Sequence, residues 1–99
     1  MKQALSFLGL LNRGGKLRFG MGVEKSLPKA KAAILADDAS ANTKKAFLSS
    51  LPQSCSLLQG VNKADLGKAL GYDEISMVLV MDQKAAKSLR EKWEKGENA

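Results

Sequence analysis

Apolar positions along this chain alternate between helical spacing and short runs of strand length, and the breaks between them fall on Gly, Pro, Asp and Asn. Over residues 2–12, Ala4, Leu5, Leu8 and Leu11 share one helical face, with Phe7 and Leu10 beside them. Gly14 or Gly15 supplies the left-handed residue that ends such a helix. Residues 16–20, KLRFG, alternate polar positions with Leu17 and Phe19, the period of a half-buried strand. Gly20-Met21-Gly22 permits a tight turn into a very short helix over 23–27, stopped by Pro28.

The stretch 31–45, KAAILADDASANTKK, organises the rest. Ala32-Ala33-Ile34-Leu35-Ala36 is wholly apolar and of strand length, the pattern of a strand covered on both faces. Asp37-Asp38 ends it, and Ser40 or Asp38 can accept hydrogen bonds from the free N–H groups that open a helix. Phe47, Leu48 and Leu51 then recur at helical spacing, Lys44 and Lys45 take the wet side, and Pro52 closes the element. Strand, turn and amphipathic helix in that order are half of a βαβ unit.

Residues 54–59, SCSLLQ, predict a weak strand. Asn62 opens a helix with Asp65 in its first turn, Leu66, Ala69 and Leu70 on its inner stripe, and Gly71 at its end. Residues 75–81, ISMVLVM, are the strongest strand pattern and predict a central position. Asp82 caps a last helix whose Ala85, Ala86, Leu89 and Trp93 form one face. The alternation of helices and strands predicts an α/β fold, a three-layer α/β/α sandwich on a four-stranded mixed sheet. It forms a single domain over 1–95, with 96–99 as a frayed tail.

At 99 residues with 44% apolar side chains, one hydrophobic core is affordable and a second is not. The net charge of +6 favours polyanionic partners. Cys55 stands alone, so no intrachain disulfide forms; a reducing cytoplasm and a half-buried structural thiol are the expectation. No run reaches the roughly 18 apolar residues of a membrane span. MKQALSFLGLL lacks an Ala-x-Ala cleavage pattern after it and reads as a helix rather than a signal peptide.

The absence of His removes serine triads, Cys–His pairs and imidazole metal sites. Asp37-Asp38 could hold Mg²⁺ at a strand's carboxyl end, but helix capping explains the pair more simply. Gly20-x-Gly22 lacks the third Gly of a dinucleotide fingerprint; the Gly9 to Lys16 spacing misses a P-loop, and Leu17 replaces its Ser/Thr. No catalytic residue, metal or cofactor follows, and the chain is not expected to be an enzyme.

The segment 13–31 carries six cations, Arg13, Lys16, Arg18, Lys25, Lys29 and Lys31, against Glu24 alone. A strand passing through Gly-x-Gly into a helix start aims backbone N–H groups and long cations outward together, which suits phosphates. Phe19, Tyr72 and Trp93 make no stacking platform in sequence, so a structured RNA read by shape is expected over a single strand read by stacking.

GLLNRGGKLRFG, then KAAILADDASANTKK, then DLGKALG followed by an apolar strand and VMD, resemble the kink-turn-binding ribosomal-protein superfamily. More narrowly they are similar to its small bacterial YlxQ/YbxF-type members, over roughly residues 3–93. The resemblance implies a non-enzymatic RNA-binding or ribosome-associated protein with the same α/β/α fold, and a cytoplasmic monomer is expected. It implies RNA contacts at the first strand-to-helix junction, with Lys16, Arg18 and Lys25 toward phosphates and Gly20, Met21 and Gly22 at the turn. It also implies contacts from the 72–76 loop, where Glu74, Ile75 and Ser76 would hold a flipped-out nucleotide, and from Ser40 beside it. Strong kink-turn binders read Gly-x-Asn-Glu at the junction, whereas this chain reads Gly20-Met21-Gly22-Val23. Kink-turn selectivity is therefore expected to weaken, and a protein-interaction module on the same fold is the alternative.

Overall fold

The computed structural model describes residues 2–20 and 22–97. Helix α1 (Lys2–Arg13) leads into strand β1 (Leu17–Arg18); strand β2 (Ala32–Leu35), helix α2 (Ala41–Ser50) and strand β3 (Ser56–Leu58) follow. Helix α3 (Lys63–Leu70), strand β4 (Met77–Val80) and helix α4 (Gln83–Glu97) complete the chain. The sheet order is β1-β4-β2-β3, with β4 antiparallel to both β1 and β2, and β2 parallel to β3. The fold is thus α/β on a four-stranded mixed sheet. β4 lies inside the sheet, as its apolar run predicts, and α2 is the crossover between the parallel strands β2 and β3.

Side chains of directly paired strand residues share a face. Register therefore places Leu17, Val80, Ala32, Ile34, Val78 and Leu58 on one face, and Met77, Leu79, Ala33 and Leu35 on the other. The first face is covered by α4 and α1, with α3 packed on α1. α4 is stitched there by Trp93 Nε1, which donates to the Gln59 carbonyl at 2.7 Å, and by Arg90, which donates to Ser56 Oγ at 2.9 Å. The other face is covered thinly. Phe47 is the one buried residue of α2, while Leu48, predicted for the same inner stripe, is 46% exposed. A single large anchor turns the helix so that Leu48 clears the sheet.

The segment predicted as a helix over 23–27 is instead two successive 3₁₀ turns, Val23–Lys25 and Leu27–Lys29, with buried Leu27 in the second. Pro28 does not stop this element but sits in its second turn. A proline's missing N–H costs nothing in a first turn, where that donor has no intrahelical partner. The predicted caps hold elsewhere: Ser40 accepts from Thr43 N, Asn62 from Asp65 N, and Asp82 from Ala85 N. The left-handed end residues are Gly15 and Gly71. α4 continues to Glu97, two residues into the predicted tail; residues 98–99 lie outside the described residues.

Within α3, Gly67 has a buried position that no larger residue could share. A Cβ there would lie 2.7 Å from the backbone of Asp73 and from the Tyr72 carbonyl oxygen. The missing side chain lets the chain after α3 fold back onto the helix. Tyr72 N donates to the Gly67 carbonyl at 2.7 Å and Ile75 N to the Lys63 carbonyl at 3.1 Å. Ala is intrinsically the better helix former by about 1 kcal/mol. We nonetheless expect Gly67→Ala to destabilise the protein by about 1–3 kcal/mol, because backbone must move to admit the methyl. Urea unfolding measures this, and an unchanged or raised midpoint would refute it.

Candidate functional site

β1, the first 3₁₀ turn, the amino end of α2 and the loop leading into β4 converge where β4 begins. The Leu17–Val80 and Arg18–Leu79 pairing carries the chain after β1 toward that end of β4. There Phe19, Val23, Ile75 and Met77 form the apolar wall of a groove of about 570 Å³, and Thr43, Glu74 and Ser76 supply polar groups. That volume is in the usual range of about 300–1,000 Å³ for a small-ligand pocket. Tyr72 also lines the groove and is 58% exposed. Its ring meets Phe19 edge to face, centroids 5.4 Å apart and planes at 82°.

Gly20 lines the groove at φ 84°, a left-handed conformation that side chains with a Cβ rarely adopt. Glu74, Ile75 and Ser76 line it too, so the predicted turn and the predicted loop do meet. Glu74 is held 3.9 Å from Lys63 Nζ across the start of α3, a solvent-exposed pair of little energetic weight. Ser40 is not in the wall; it holds the wall's Thr43 through both the backbone cap and a 2.8 Å hydroxyl bond. Gly22, at φ 80°, is exposed and opens the first 3₁₀ turn. Lys25, its last residue, is exposed and does not line the groove. Met21 lies outside the described residues.

The predicted cations do not gather at this junction. Lys16 sits at the other end of β1, where its carbonyl accepts from Met81 N and its Nζ is 3.8 Å from Asp82. An alternating strand separates it from Gly20 by its own length. Arg18 Nη1 bends back to the carbonyls of Gly15 and Leu17, at 3.0 and 2.8 Å. Among the described residues, no basic side chain lines the groove. Sequence reasoning underrated Phe19 and Tyr72, which are far apart in the chain but meet here. Trp93, grouped with them in sequence, is buried in the α4 face.

Asp37 and Asp38 are structural. Asp37 Oδ1 accepts from Gly60 N at 3.0 Å and Asp38 Oδ1 from Lys63 N at 2.8 Å, so the pair fastens the loop before α3 to the end of β2. Ser40, not Asp38, caps α2. Cys55 is half-buried, and desolvation pushes its thiol above its ordinary value. The protonated thiol is then the form the fold favours, which keeps it a poor nucleophile near neutral pH.

No protein-family model matches the chain, and no curated protein matches it. Among solved structures it is similar to a protein with unknown function from Bacillus halodurans C, with 28% identity over 93% of this chain and 97% of that chain, and a TM-score of 0.83. That likeness supports the fold and assigns no activity.

Two outcomes are expected. Asp38→Ala should lower stability by about 0.5–2 kcal/mol, the usual range for a lost cap, with or without Mg²⁺; a Mg²⁺-dependent difference in melting temperature would contradict the structural role. Cys55 should alkylate more slowly than a free thiol at pH 7 and accelerate only as pH rises through its elevated pKa, with folded-state stability falling as pH rises past the unfolded thiol's value. Iodoacetamide kinetics across pH measure the first part, and unfolding at pH 7 and 9.5 the second.

Proposed function

We propose that the protein is a small, non-enzymatic RNA-binding protein of the cytoplasm, associated with ribosomal or other structured RNA, and that the groove takes one unpaired nucleotide. The observation that carries this reading is the groove itself. Its apolar wall and exposed tyrosine meet hydroxyl and carboxylate groups in a volume of about 570 Å³, ample for one unpaired nucleotide. Unstacked bases splayed from loops and bulges are recognised by aromatic contact together with hydrogen bonds to their edges. Tyr72 offers the ring, while Thr43, Ser76 and Glu74 offer the polar partners; carboxylates accept hydrogen bonds from base amino groups.

The motif resemblance to kink-turn-binding ribosomal proteins supports the same reading, since it points to the Gly20 turn and the 74–76 loop. Lys25, exposed two residues after the groove's Val23, is the cation proposed to meet the strand's phosphates. Gly22-Val23, in place of an Asn-Glu pair, removes two base-edge contacts of the kind typically worth about 1–3 kcal/mol each. Preference for a kink-turn over other bulged RNAs is therefore weak.

A second reading has one observation in its favour. Among the described residues the groove lining contains no cation, which suits an apolar anchor of a protein partner as well as a base.

The test compares a bulged or kink-turn hairpin with a straight duplex of equal length. Wild-type protein should prefer the hairpin. Tyr72→Ala, at an exposed position, should weaken hairpin binding by about 1–3 kcal/mol, the scale of one base–aromatic contact, and leave duplex binding unchanged. Equal affinity for both RNAs, unaltered by Tyr72→Ala, would overturn the nucleotide reading in favour of a protein partner.

A further inference from the structure

At the end of the sheet opposite the groove, a second concavity is built from basic and hydroxyl side chains. Lys31 reaches it from the residue before β2, Ser54 from the turn before β3, Ser56 from the start of β3, and Lys84, Lys87 and Arg90 from successive turns of α4. Residues three apart share one helical face, so the three α4 cations form a row. These positions come from three separate parts of the chain, and only the pairing of β2 with β3 under α4 unites them. Arg90 is fixed in place by its 2.9 Å bond to Ser56 Oγ.

Among the described residues, no acidic side chain lines the cleft. Of the two acids adjacent to it in sequence, Asp82 is engaged elsewhere, accepting from Ala85 N at 2.9 Å and facing Lys16 at 3.8 Å, and Glu91, next to Arg90, is exposed and outside the lining. Four cations converging without a counter-charge repel one another, and an anion between them relieves that repulsion. The volume is about 190 Å³, room for about six waters at roughly 30 Å³ each. Gln83 and Ala86 complete its lining, and among the described residues no aromatic ring is present on which a base could stack, so its cations suit phosphate groups and read no sequence.

We propose that this cleft is a second, sequence-independent phosphate site, taking adjacent backbone phosphates of the RNA whose unpaired nucleotide enters the groove. The proposal rests on the RNA reading of the groove. The two sites lie at opposite ends of β4, whose four residues span roughly 13 Å at about 3.3 Å per residue. They also lie on opposite faces of the sheet, the groove beside Met77 and α2 and the cleft beside Ser56 and α4. One folded RNA that fills both must therefore wrap around the sheet. The groove then discriminates among RNAs, and the cleft supplies the charge that the groove lining lacks.

The experiment measures binding of the bulged hairpin and the straight duplex at several salt concentrations, for wild-type protein, Tyr72→Ala and the double variant Lys84→Glu, Lys87→Glu. Both lysines are exposed, and Glu near a helix start is favourable, so the double variant should melt like the wild type. It should weaken both RNAs alike and flatten the slope of log K against log salt by about 0.7–0.9 for each phosphate that the cleft no longer engages. An unchanged slope, with the wild type binding RNA, overturns the cleft and leaves the groove standing. A flattened slope with no effect of Tyr72→Ala upholds the cleft and removes the groove. In a separate arm, inorganic pyrophosphate is titrated while amide shifts are followed. Shifts at Lys84, Lys87 and Arg90 that the double variant abolishes support the phosphate site; their absence overturns it.

Discussion

The close approach of the Tyr72-Asp73 backbone to Gly67 decides where the loop before β4 lies. A helix normally keeps neighbouring chain a side chain's width away; at Gly67 that spacing is missing, and the loop rests on the helix backbone itself. Hydrogen bonds from Tyr72 N and Ile75 N to α3 carbonyls hold it there. With α3 fastened in turn by Asp38 to the end of β2, the loop inherits the rigidity of the sheet. A site carried on a loop gains precision only when its support is fixed in this way. Tyr72, though exposed, consequently meets Phe19 edge to face, and Ile75 is buried.

The uneven covering of the sheet explains the groove. Three helices accumulate on one face, and most of the fully buried large side chains, Leu8, Leu89, Val78 and Val80 among them, lie there. The opposite face has only α2, anchored through Phe47, and the two 3₁₀ turns. A shorter covering element leaves part of a sheet face uncovered, and here the gap falls beside Met77, between the Gly20 turn and α2. A full helix over 23–27 would have filled more of that face. The 3₁₀ turns thus contribute to the site by being small.

Charge and shape are separated in this molecule. The groove lining is apolar and polar but carries no cation among the described residues, while Lys31, Lys84, Lys87 and Arg90 converge at the other end of β4. Attraction between exposed charges acts over about a Debye length, roughly 8–10 Å at physiological salt, so charge farther away than that is largely screened from the groove.

The residue pattern alone determined the order along the chain of the four strands and the four α-helices, the buried character of residues 32–36, the caps at Asn62 and Asp82 and the glycine end at Gly71. It narrowed the α2 cap to Ser40 or Asp38 and the α1 end to Gly14 or Gly15, because period, capping and positive φ are local properties of a few neighbouring residues. The family resemblance, rather than any local pattern, pointed to Gly20 and residues 74–76, which the strand register brings to one groove. Tertiary structure alone decided the strand order, the splitting of 23–29 into two 3₁₀ turns, the outward turn of Leu48, and the use of Asp37 and Asp38 to fasten the loop before α3. It also dispersed the cations of residues 13–31, sending Lys16 to Asp82 and Lys31 to the α4 cleft. Neighbours in a strand diverge by the strand's full length, whereas residues as distant as Lys31 and Arg90 are brought together by sheet pairing and helix packing, and no local pattern encodes that.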